Sequence, residues 1–529
     1  MINMSCFGKK VLGLCSSSAW FLIACSYRFI ILRINPFWIQ LCYFFSISFL
    51  GFGFLKAFKP RTRDSFSPRN LDLFFTSVSA STVSSMSTVE MEVFSNSQLV
   101  ILTVLMFVGG EVFTSLVGLL FRKSQLRRKW ISNVGLVSSV RSDTDGTYKM
   151  QTKQGDNENL DSRYEVKLHI QYTSSILDMK ILKYNSFRFL GLVVLGYLLL
   201  LHFLGILLVL VYLASVKSAR NVLETKGLNI FTFSLFTIVS TFASCGFVPT
   251  NENMMVFSKN SGLLLILIPQ VLFGNTLFPS CLRFSIWFLG NFFKKVESNY
   301  LLKNTSKIGY LHLLPSLHSL FLVGTVFGFI LVQFVLFCSL EWNSEALNGL
   351  NSFQKIIGVL FQTVNSRHTG ETIVDLSAIS PAILVLFIVM MYLPPYTAFL
   401  PIKDDTEIDG RSKRWRGKLL ENIIFSQLSY LVIFVILICI TERHKMKQDP
   451  LNFNVLNIVL EVISAYGNVG FTAGYSCKRQ IHPDSICQDK WYGFSGRWSD
   501  EGRVILIMVM FFGRLKKFNM NGGRAWILL

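Results

Sequence analysis

The chain has 529 residues, of which 51% are hydrophobic, 14% aromatic and only 16% charged, whereas a soluble protein of this length needs more charge to cover its surface. Stretches of about 20 apolar residues recur, each long enough to cross a hydrocarbon core of ~30 Å. The composition therefore predicts an all-α polytopic membrane protein. The net charge of +20 does not indicate nucleic-acid binding, because Lys and Arg cluster at the ends of the apolar stretches, as they do on cytoplasmic loops.

The N-terminal segment, residues 1–35, has some features of a signal peptide, namely a Lys pair followed by an apolar run in "KKVLGLCSSSAWFLIAC". The apolar character resumes at once in "FIILRINPFWIQLCYFF". Cleavage would also place the following residues outside the cell, which conflicts with the distribution of charge. We therefore expect this segment to be uncleaved and cytoplasmic.

The chain offers eight candidate membrane spans, and the intervals between them alternate in kind. Basic segments follow the second, fourth and sixth spans, at 121–130, 292–307 and 410–418. The positive-inside rule places these intervals and both termini in the cytoplasm. The predicted spans are 36–58, 98–122, 188–216, 261–289, 314–340, 378–400, 419–440 and 502–520.

The other four intervals each contain an apolar segment that is too short to cross a membrane. Each segment opens with Pro or Gly near an Asn, which is a helix-start signal, and each ends in small residues. The segments are "PRNLDLFFTSVSASTVSSMS" (68–87), "GLNIFTFSLFTIVSTFASCG" (227–246), "GLNSFQKIIGVLFQTVNSRHTG" (349–370) and "PLNFNVLNIVLEVISAYGNVG" (450–470). The separation between the opening Asn and the closing residue is nearly constant when the closing residues are Ser87, Gly246, Gly370 and Gly470.

These segments predict a fourfold internal repeat of span, short re-entrant helix, turn and span. Irregular backbone at membrane depth is tolerated only inside protein or along a watery cavity, which favours four units around one central pore. The predicted divisions are an N-terminal segment 1–35, repeat A 36–122, a loop 123–187, repeat B 188–289, a loop 290–313, repeat C 314–400, a loop 401–418 and repeat D 419–529.

The four closing residues are the candidate selectivity filter. Carbonyl oxygens around a central axis can replace the hydration shell of a monovalent cation, and glycine lets the backbone approach an ion closely. A single glycine at such a place is more often a helix C-cap or a turn, but four equivalent positions favour a filter. We expect a monovalent cation at this ring, no other metal and no cofactor.

The chain resembles the plant HKT transporters, the high-affinity potassium transporter family of the Trk/Ktr superfamily. The resemblance lies in "SVSASTVSSMSTVEMEVFSN" (77–96), "TFASCGFVPTNENM" (241–254), "NSRHTGE" (365–371), "AYGNVGFTAGYSC" (465–477) and "FFGRLKKF" (511–518). It implies a single-chain pore of four membrane–pore–membrane units in the plasma membrane, and a homodimer with a pore in each subunit. In that family the first filter residue is Ser in the subclass regarded as sodium-selective and Gly in the subclass that also carries potassium. Ser87 fits the Ser pattern, and its side chain would reduce the room for potassium.

Acidic residues follow the candidate filter positions, where they would concentrate cations at the outer mouth. These residues are Glu90, Glu252 and Glu371, while Glu92 is equally well explained as a solvated loop charge. The fourth repeat has Lys478 and Arg479 instead, so a symmetric acidic ring is not expected.

Arg514 and Lys517 lie near the end of the last span. Within the last predicted span, only about 12 residues precede Arg514. They form ~18 Å of helix, which is too short to cross a ~30 Å hydrocarbon core. An intramembrane Arg usually faces the bundle interior or a wet cavity, so both residues are candidates for a positive barrier below the filter. The alternative is a side chain that extends to the cytoplasmic interface.

Cys477 and Cys487 flank a polar loop, and they could form a disulfide if this loop is extracellular. His368, two residues before Gly370, could support the filter.

The expected function is passive, sodium-selective transport through one pore. A potassium or mixed sodium/potassium transporter is the alternative. A membrane-embedded enzyme would need a polar catalytic cluster and would give the fourfold repeat no role, so we do not expect an enzyme.

Overall fold

The computed structural model describes residues 36–61, 68–124, 126, 159–398, 427–481 and 487–519. Within these ranges the chain forms helices and connecting loops, with no β-strand. The predicted segments 1–35 and 401–418, most of the predicted loop 123–187 and the far C-terminus lie outside the described residues.

Four sets of helices, which we call units A to D, follow one another in the chain. Each contains a first helix, a short helix and a second helix, and the second helix is continued by another helix in units A and B. The first helices are Pro36–Ala57, Asn159–Ser215, Ser316–Glu341 and Gln427–Thr441. The second helices are Asn96–Gly109 with Glu111–Ser124, Ser261–Gly274 with Phe278–Phe293, Pro381–Tyr392, and Asp500–Asn519. Smaller helices between them are Lys217–Thr225, Val296–Lys303, Thr305–Ile308 and Arg443–Gln448.

Three of the described helices are individually long and apolar enough to cross a membrane, and the number rises to at most six if each bent helix pair is one span. The three are Phe37–Ala57, Met179–Ser215 and Ser316–Glu341. Large apolar side chains are exposed on the outer faces of these helices, among them Phe203 and Leu320. Lipid is the solvent in which such faces are stable, while the count of eight spans stays a prediction.

Two predicted spans are not continuous helices. In unit A, Asn96–Gly109 and Glu111–Ser124 meet at 53°, and in unit B, Ser261–Gly274 and Phe278–Phe293 meet at 82°. The spans predicted at 98–122 and 261–289 are therefore each divided between two helices. Apolar composition continues through the break, but a helix stops where its glycine packs against another backbone and a proline opens the next helix, as Pro279 does here.

The four short helices predicted from the sequence are present, and we call them short helices A to D: Asn70–Ser81, Ile230–Phe242, Ser352–Asn365 and Val455–Gly467. Asn side-chain caps satisfy free amides at the beginnings of short helices B, C and D, whereas Arg69 precedes short helix A without a side-chain cap. Asn229 accepts from Phe231 N and Thr232 N, and Asn351 forms a capping box with Gln354. In unit D the cap is Asn454 and not Asn452.

The units close into a ring. The second helix of unit A packs on short helix B, that of unit B on short helix C, and that of unit C on short helix D. The second helix of unit D returns to short helix A. At this closure Arg503 forms an ion pair of 2.8 Å with Asp72 of short helix A. The arrangement leaves one central axis toward which the C-terminal ends of all four short helices run.

Glycines allow three second helices to approach their own short helices. A methyl group at Gly109, Gly274 or Gly513 would overlap the carbonyl oxygen of Ser81, Phe242 or Tyr466, respectively. In units A and B the helix ends at this glycine, whereas in unit D it continues to Asn519. These contacts place the helix breaks at the depth of the short-helix C-termini.

Candidate selectivity filter and outer mouth

The loops that follow the four short helices converge on one point. A methyl group at Gly246 would overlap the backbone of Gly370, and one at Gly470 would overlap Cβ of Ser85. A methyl group at Gly370 would lie 2.7 Å from Oγ of Ser85. These four residues line the floor of a single cavity that opens between the units. Their close approach is possible because three of them have no side chain.

The backbone conformation identifies the equivalent residues in units A, B and D. The candidate filter residues Ser85, Gly246 and Gly470 have φ values of +53°, +95° and +103°. The residue two positions earlier also has a positive φ in each unit, namely Val83, Ser244 and Asn468. Such values are uncommon for residues other than glycine, so their repetition at one spacing is a specific match between the loops.

The hydrogen bonds give the same register. The amide of the residue before the filter position donates to the fifth residue back in each of these units, and the pairs are Ser84 N to Ser79 O, Cys245 N to Ser240 O and Val469 N to Ser464 O. The residue that takes the place of the glycines in unit A is therefore Ser85. The assignment of Ser87 to this position is wrong.

The error arose because the segments were aligned on their opening Asn residues. Asn70 is the first residue of its short helix, whereas Asn229 and Asn351 precede theirs as caps. Short helix A is also shorter, with 12 residues against 13 or 14 in the others. The sequence signal that would have found Ser85 is the large apolar residue directly after the glycine in units B and D, Phe247 and Phe471. Met86 follows Ser85 in the same way, whereas Thr88 follows Ser87.

Ser87 lies farther out, on the wall of the same cavity. Its carbonyl oxygen accepts a hydrogen bond of 3.0 Å from Gly493 N, and its Oγ shares this donor at 3.2 Å. Gly493 belongs to the segment between short helix D and the second helix of unit D, which we call the outer segment of unit D. These contacts connect the segment that follows Ser85 in unit A to the outer segment of unit D.

The four loops are not supported identically. Gly246 N donates to Ser240 Oγ and Gly470 N donates to Ser464 Oγ, each at 3.0 Å. In unit A, Ser79 Oγ makes no hydrogen bond within the described part of the chain. In unit C, Val364 stands six residues before Gly370 and has no hydroxyl. The support of units B and D therefore differs from that of units A and C.

The loop of unit C that contains Gly370 is held by hydrogen bonds to unit B and not by a serine of its own short helix. Gly370 N donates to Cys245 O at 3.2 Å. His368 lies behind the loop, where its Nε2 is 2.8 Å from Thr276 Oγ1 in the break of the unit B second helix. The expectation that His368 supports the filter agrees with this position.

The predicted outer-mouth acids have different surroundings. Glu252 lines the cavity, and Lys226 Nζ binds both its carboxylate, at 2.5 Å, and that of Glu92, at 2.6 Å. Burial alone lowers the pKa of Lys226, but the hydrogen bonds and charges of the two carboxylates outweigh this effect and raise it. The three groups together contribute one net negative charge to the mouth.

Glu90 accepts a hydrogen bond of 3.2 Å from Trp491 N. Glu371, in contrast, is not an outer-mouth residue, and this expectation is wrong. Its side chain is 0% exposed and accepts a hydrogen bond from Thr241 Oγ1 of unit B. The side chain next to Gly370 points behind the loop because the ring itself is occupied by backbone.

The outer segment of unit D covers part of the mouth. The predicted disulfide between Cys477 and Cys487 is present. Asp489 accepts a hydrogen bond of 2.6 Å from Cys477 N, and residues 489–493 line the cavity.

Arg514 lies in the protein interior, with 1% of its surface exposed. It follows Gly513, whose contact with Tyr466 O sets its depth at the C-terminus of short helix D. Its guanidinium donates to Gly109 O at the break in unit A and lies 5.5 Å from the Phe44 ring centre. This burial does not fit the alternative in which the side chain extends to the interface. The Lys517 side chain lies outside the described part of the chain.

Comparisons with known proteins show the family of the chain. The family model described as a TrkH cation transport protein matches residues 178–520. The chain is 49% identical over 502 residues to the "Cation transporter HKT1;3" of Oryza sativa subsp. japonica, which covers 93% of this chain and 92% of that protein. It is 51% identical over 483 residues to the "Sodium transporter HKT1" of Arabidopsis thaliana, with coverage of 90% and 91%.

The crystal structure of the potassium transporter TrkH from Vibrio parahaemolyticus aligns with a TM-score of 0.48 at 14% identity, over 92% of this chain and 84% of that chain. The family match and the curated relatives are transporters and not enzymes. The chain therefore belongs to the TrkH family of cation transport proteins and, within it, to the plant HKT cation transporters.

Proposed function

We propose that this cation transporter is selective for Na⁺, which moves passively through the ring formed by Ser85, Gly246, Gly370 and Gly470. The observation that carries the proposal is the convergence of these four residues on one point, with a side chain on only one of them. Backbone oxygens at such a ring can replace the water around a monovalent cation.

The side chain of Ser85 supports selectivity for the smaller ion. Its Cβ and Oγ occupy the space beside Gly370 and Gly470, so the ring loses fourfold symmetry and room. Potassium is larger than sodium and needs a wider set of oxygens. In the HKT family, Ser at the first filter position is the pattern of the subclass regarded as sodium-selective, and a relative at 51% identity is named a sodium transporter.

We propose that the buried charge of Arg514 acts as a barrier directly below this ring. Its depth beside the C-terminus of short helix D and its contact with the unit A break support this role. A fixed positive charge there opposes the passage of a cation and would set rate and rectification. Lys517 is the second candidate on the same helix.

We further propose a plasma-membrane protein with both termini in the cytoplasm, organised as the four predicted repeats A to D, which assembles as a homodimer with one pore per subunit. The distribution of basic segments supports the orientation. The resemblance to the HKT family supports the location and the dimer.

The test is a current measurement from the expressed protein with external Na⁺ and K⁺ varied independently. A reversal potential that follows Na⁺ and ignores K⁺ supports the proposal. A reversal potential that follows both ions equally would instead establish the potassium or mixed transporter.

A further inference from the structure

Asn253 belongs to unit B but contacts the filter residue of unit C. Its Nδ2 donates a hydrogen bond of 2.9 Å to Gly370 O, and its Oδ1 accepts one of 3.2 Å from Thr372 N. The nitrogen and the oxygen of one side-chain amide therefore both bind the segment of unit C that contains Gly370. Asn253 also lines the cavity above the ring.

The backbone holds this side chain in place. Asn253 has φ of +57°, in the left-handed region that Asn tolerates better than most residues. Its own carbonyl accepts a hydrogen bond of 2.6 Å from Thr250 Oγ1, and its Oδ1 also accepts one of 2.8 Å from Met254 N. A residue other than glycine adopts this conformation at a steric cost, so the surrounding hydrogen bonds must stabilise Asn253 in it.

Gly370 depends on these contacts more than the other filter glycines do. It lacks the serine hydroxyl that binds the amides of Gly246 and Gly470. Its amide instead binds Cys245 O, and its carbonyl binds Asn253. Both polar groups of the Gly370 backbone are thus oriented by unit B.

We propose that Asn253 is a positioning residue that determines ion selectivity by fixing the direction of the Gly370 carbonyl. A carbonyl oxygen can accept two hydrogen bonds or ligands, so the amide occupies one site and leaves the other for the ion. Because the amide holds this oxygen, the ring cannot widen freely at unit C to fit a larger cation. The inference rests on the proposed function of the ring as a sodium filter.

The decisive variant is Asn253→Asp. A carboxylate keeps both acceptor contacts, to Thr372 N and Met254 N, and tolerates the left-handed backbone. It cannot donate to Gly370 O and repels that oxygen. We expect the Na⁺/K⁺ permeability ratio to fall about tenfold, the factor that corresponds to one lost hydrogen bond of ordinary strength.

Asn253→Gly is the second variant, because it keeps the positive φ without strain and removes the side chain without adding charge. It should lower the ratio as well. The matched control is Asn251→Asp, which adds the same charge to the same cavity wall. Asn251 Oδ1 accepts from Glu92 N at 2.9 Å, and a carboxylate retains that bond, so its ratio should stay within about twofold of the unchanged protein.

Currents are recorded at matched surface expression for all four proteins. The ratio of the unchanged protein tests the proposed function, and the change between it and the Asn253 variants tests the role of Asn253, so the two can fail separately. Unchanged ratios in both Asn253 variants would overturn the inference. An equal loss in Asn251→Asp would also overturn it, because mouth charge would then explain the effect.

Discussion

Ser85 is the residue at which the ring departs from fourfold symmetry. It has the positive φ that the glycines of units B and D have at the same place, although a Cβ makes this conformation costly. Its side chain is buried between Gly370 and Gly470. The strain and the position both support the proposed role of this side chain in selectivity.

We expect Ser85→Gly to raise potassium permeability relative to sodium by about tenfold or more, because it removes the only side chain at the ring and restores its symmetry. Reversal potentials in sodium and potassium baths measure this change. Ser87→Gly is the matched control, since Ser87 lies on the cavity wall. Glycine retains the carbonyl oxygen that accepts from Gly493 N at 3.0 Å and loses only the Oγ that shares this donor at 3.2 Å. If Ser87→Gly had the larger effect, the filter residue of unit A would be Ser87 and not Ser85.

Arg514 gives a second prediction at this scale. Arg514→Gln removes the buried charge but leaves a group that can donate to Gly109 O. Sodium conductance should rise several-fold, and rectification should weaken, because the barrier below the ring is electrostatic. Current–voltage curves from equal amounts of surface protein provide the measurement. An unaltered curve would show that Arg514 only holds the helix break together.

Among the helices, the glycine contacts with the short-helix carbonyls are the least tolerant of change. Gly109 packs against Ser81 O at the point where the unit A second helix breaks. The added methyl group of Gly109→Ala overlaps a backbone oxygen, which cannot move without shifting the filter loop. Overpacking of this kind costs about 1–3 kcal/mol.

Gly109→Ala should therefore lower the melting temperature of the detergent-solubilised protein and reduce current. Gly118→Ala is the control in the next helix, where a methyl group meets nothing within 4 Å. That change should raise stability by about 0.5–1 kcal/mol, because glycine weakens a helix interior. The opposite signs separate packing at the break from helix propensity. A stable Gly109→Ala protein with normal current would contradict the tight contact.

For the whole molecule, the outer mouth joins units through charged groups. Lys226 of unit B neutralises part of the field of Glu92, from unit A, and Glu252. Lys226→Gln leaves both carboxylates without a cation, so the mouth becomes more negative and attracts more Na⁺.

Sodium current at low ionic strength should increase by about twofold in Lys226→Gln, and the increase should shrink as salt screens the field. Lys259→Gln removes the same charge from an exposed position in the unit B loop that follows Gly246. Its current should change less at every salt concentration. Equal effects from the two variants would mean that the ion pair has no special role at the mouth.

The sequence predicted the architecture well, because the relevant signals are local. Apolar runs reveal the membrane spans. An Asn near the start and small residues at the end reveal the four short helices, although this Asn is a cap in only three of them. The break at Gly274 was missed, since the apolar run continues through it and the helix stops only because the glycine packs against Phe242 O.

What the amino-acid sequence determined by itself is a membrane protein with four short helices, three candidate filter glycines and an Arg placed inside the last apolar run. The tertiary structure decided that Ser85 completes the ring, that Glu371 points behind it and that Lys226 joins two mouth carboxylates. These features depend on contacts between distant residues, such as Glu92 and Lys226, which are 134 positions apart. Local periodicity cannot specify such contacts, because they exist only once the units have closed around the axis.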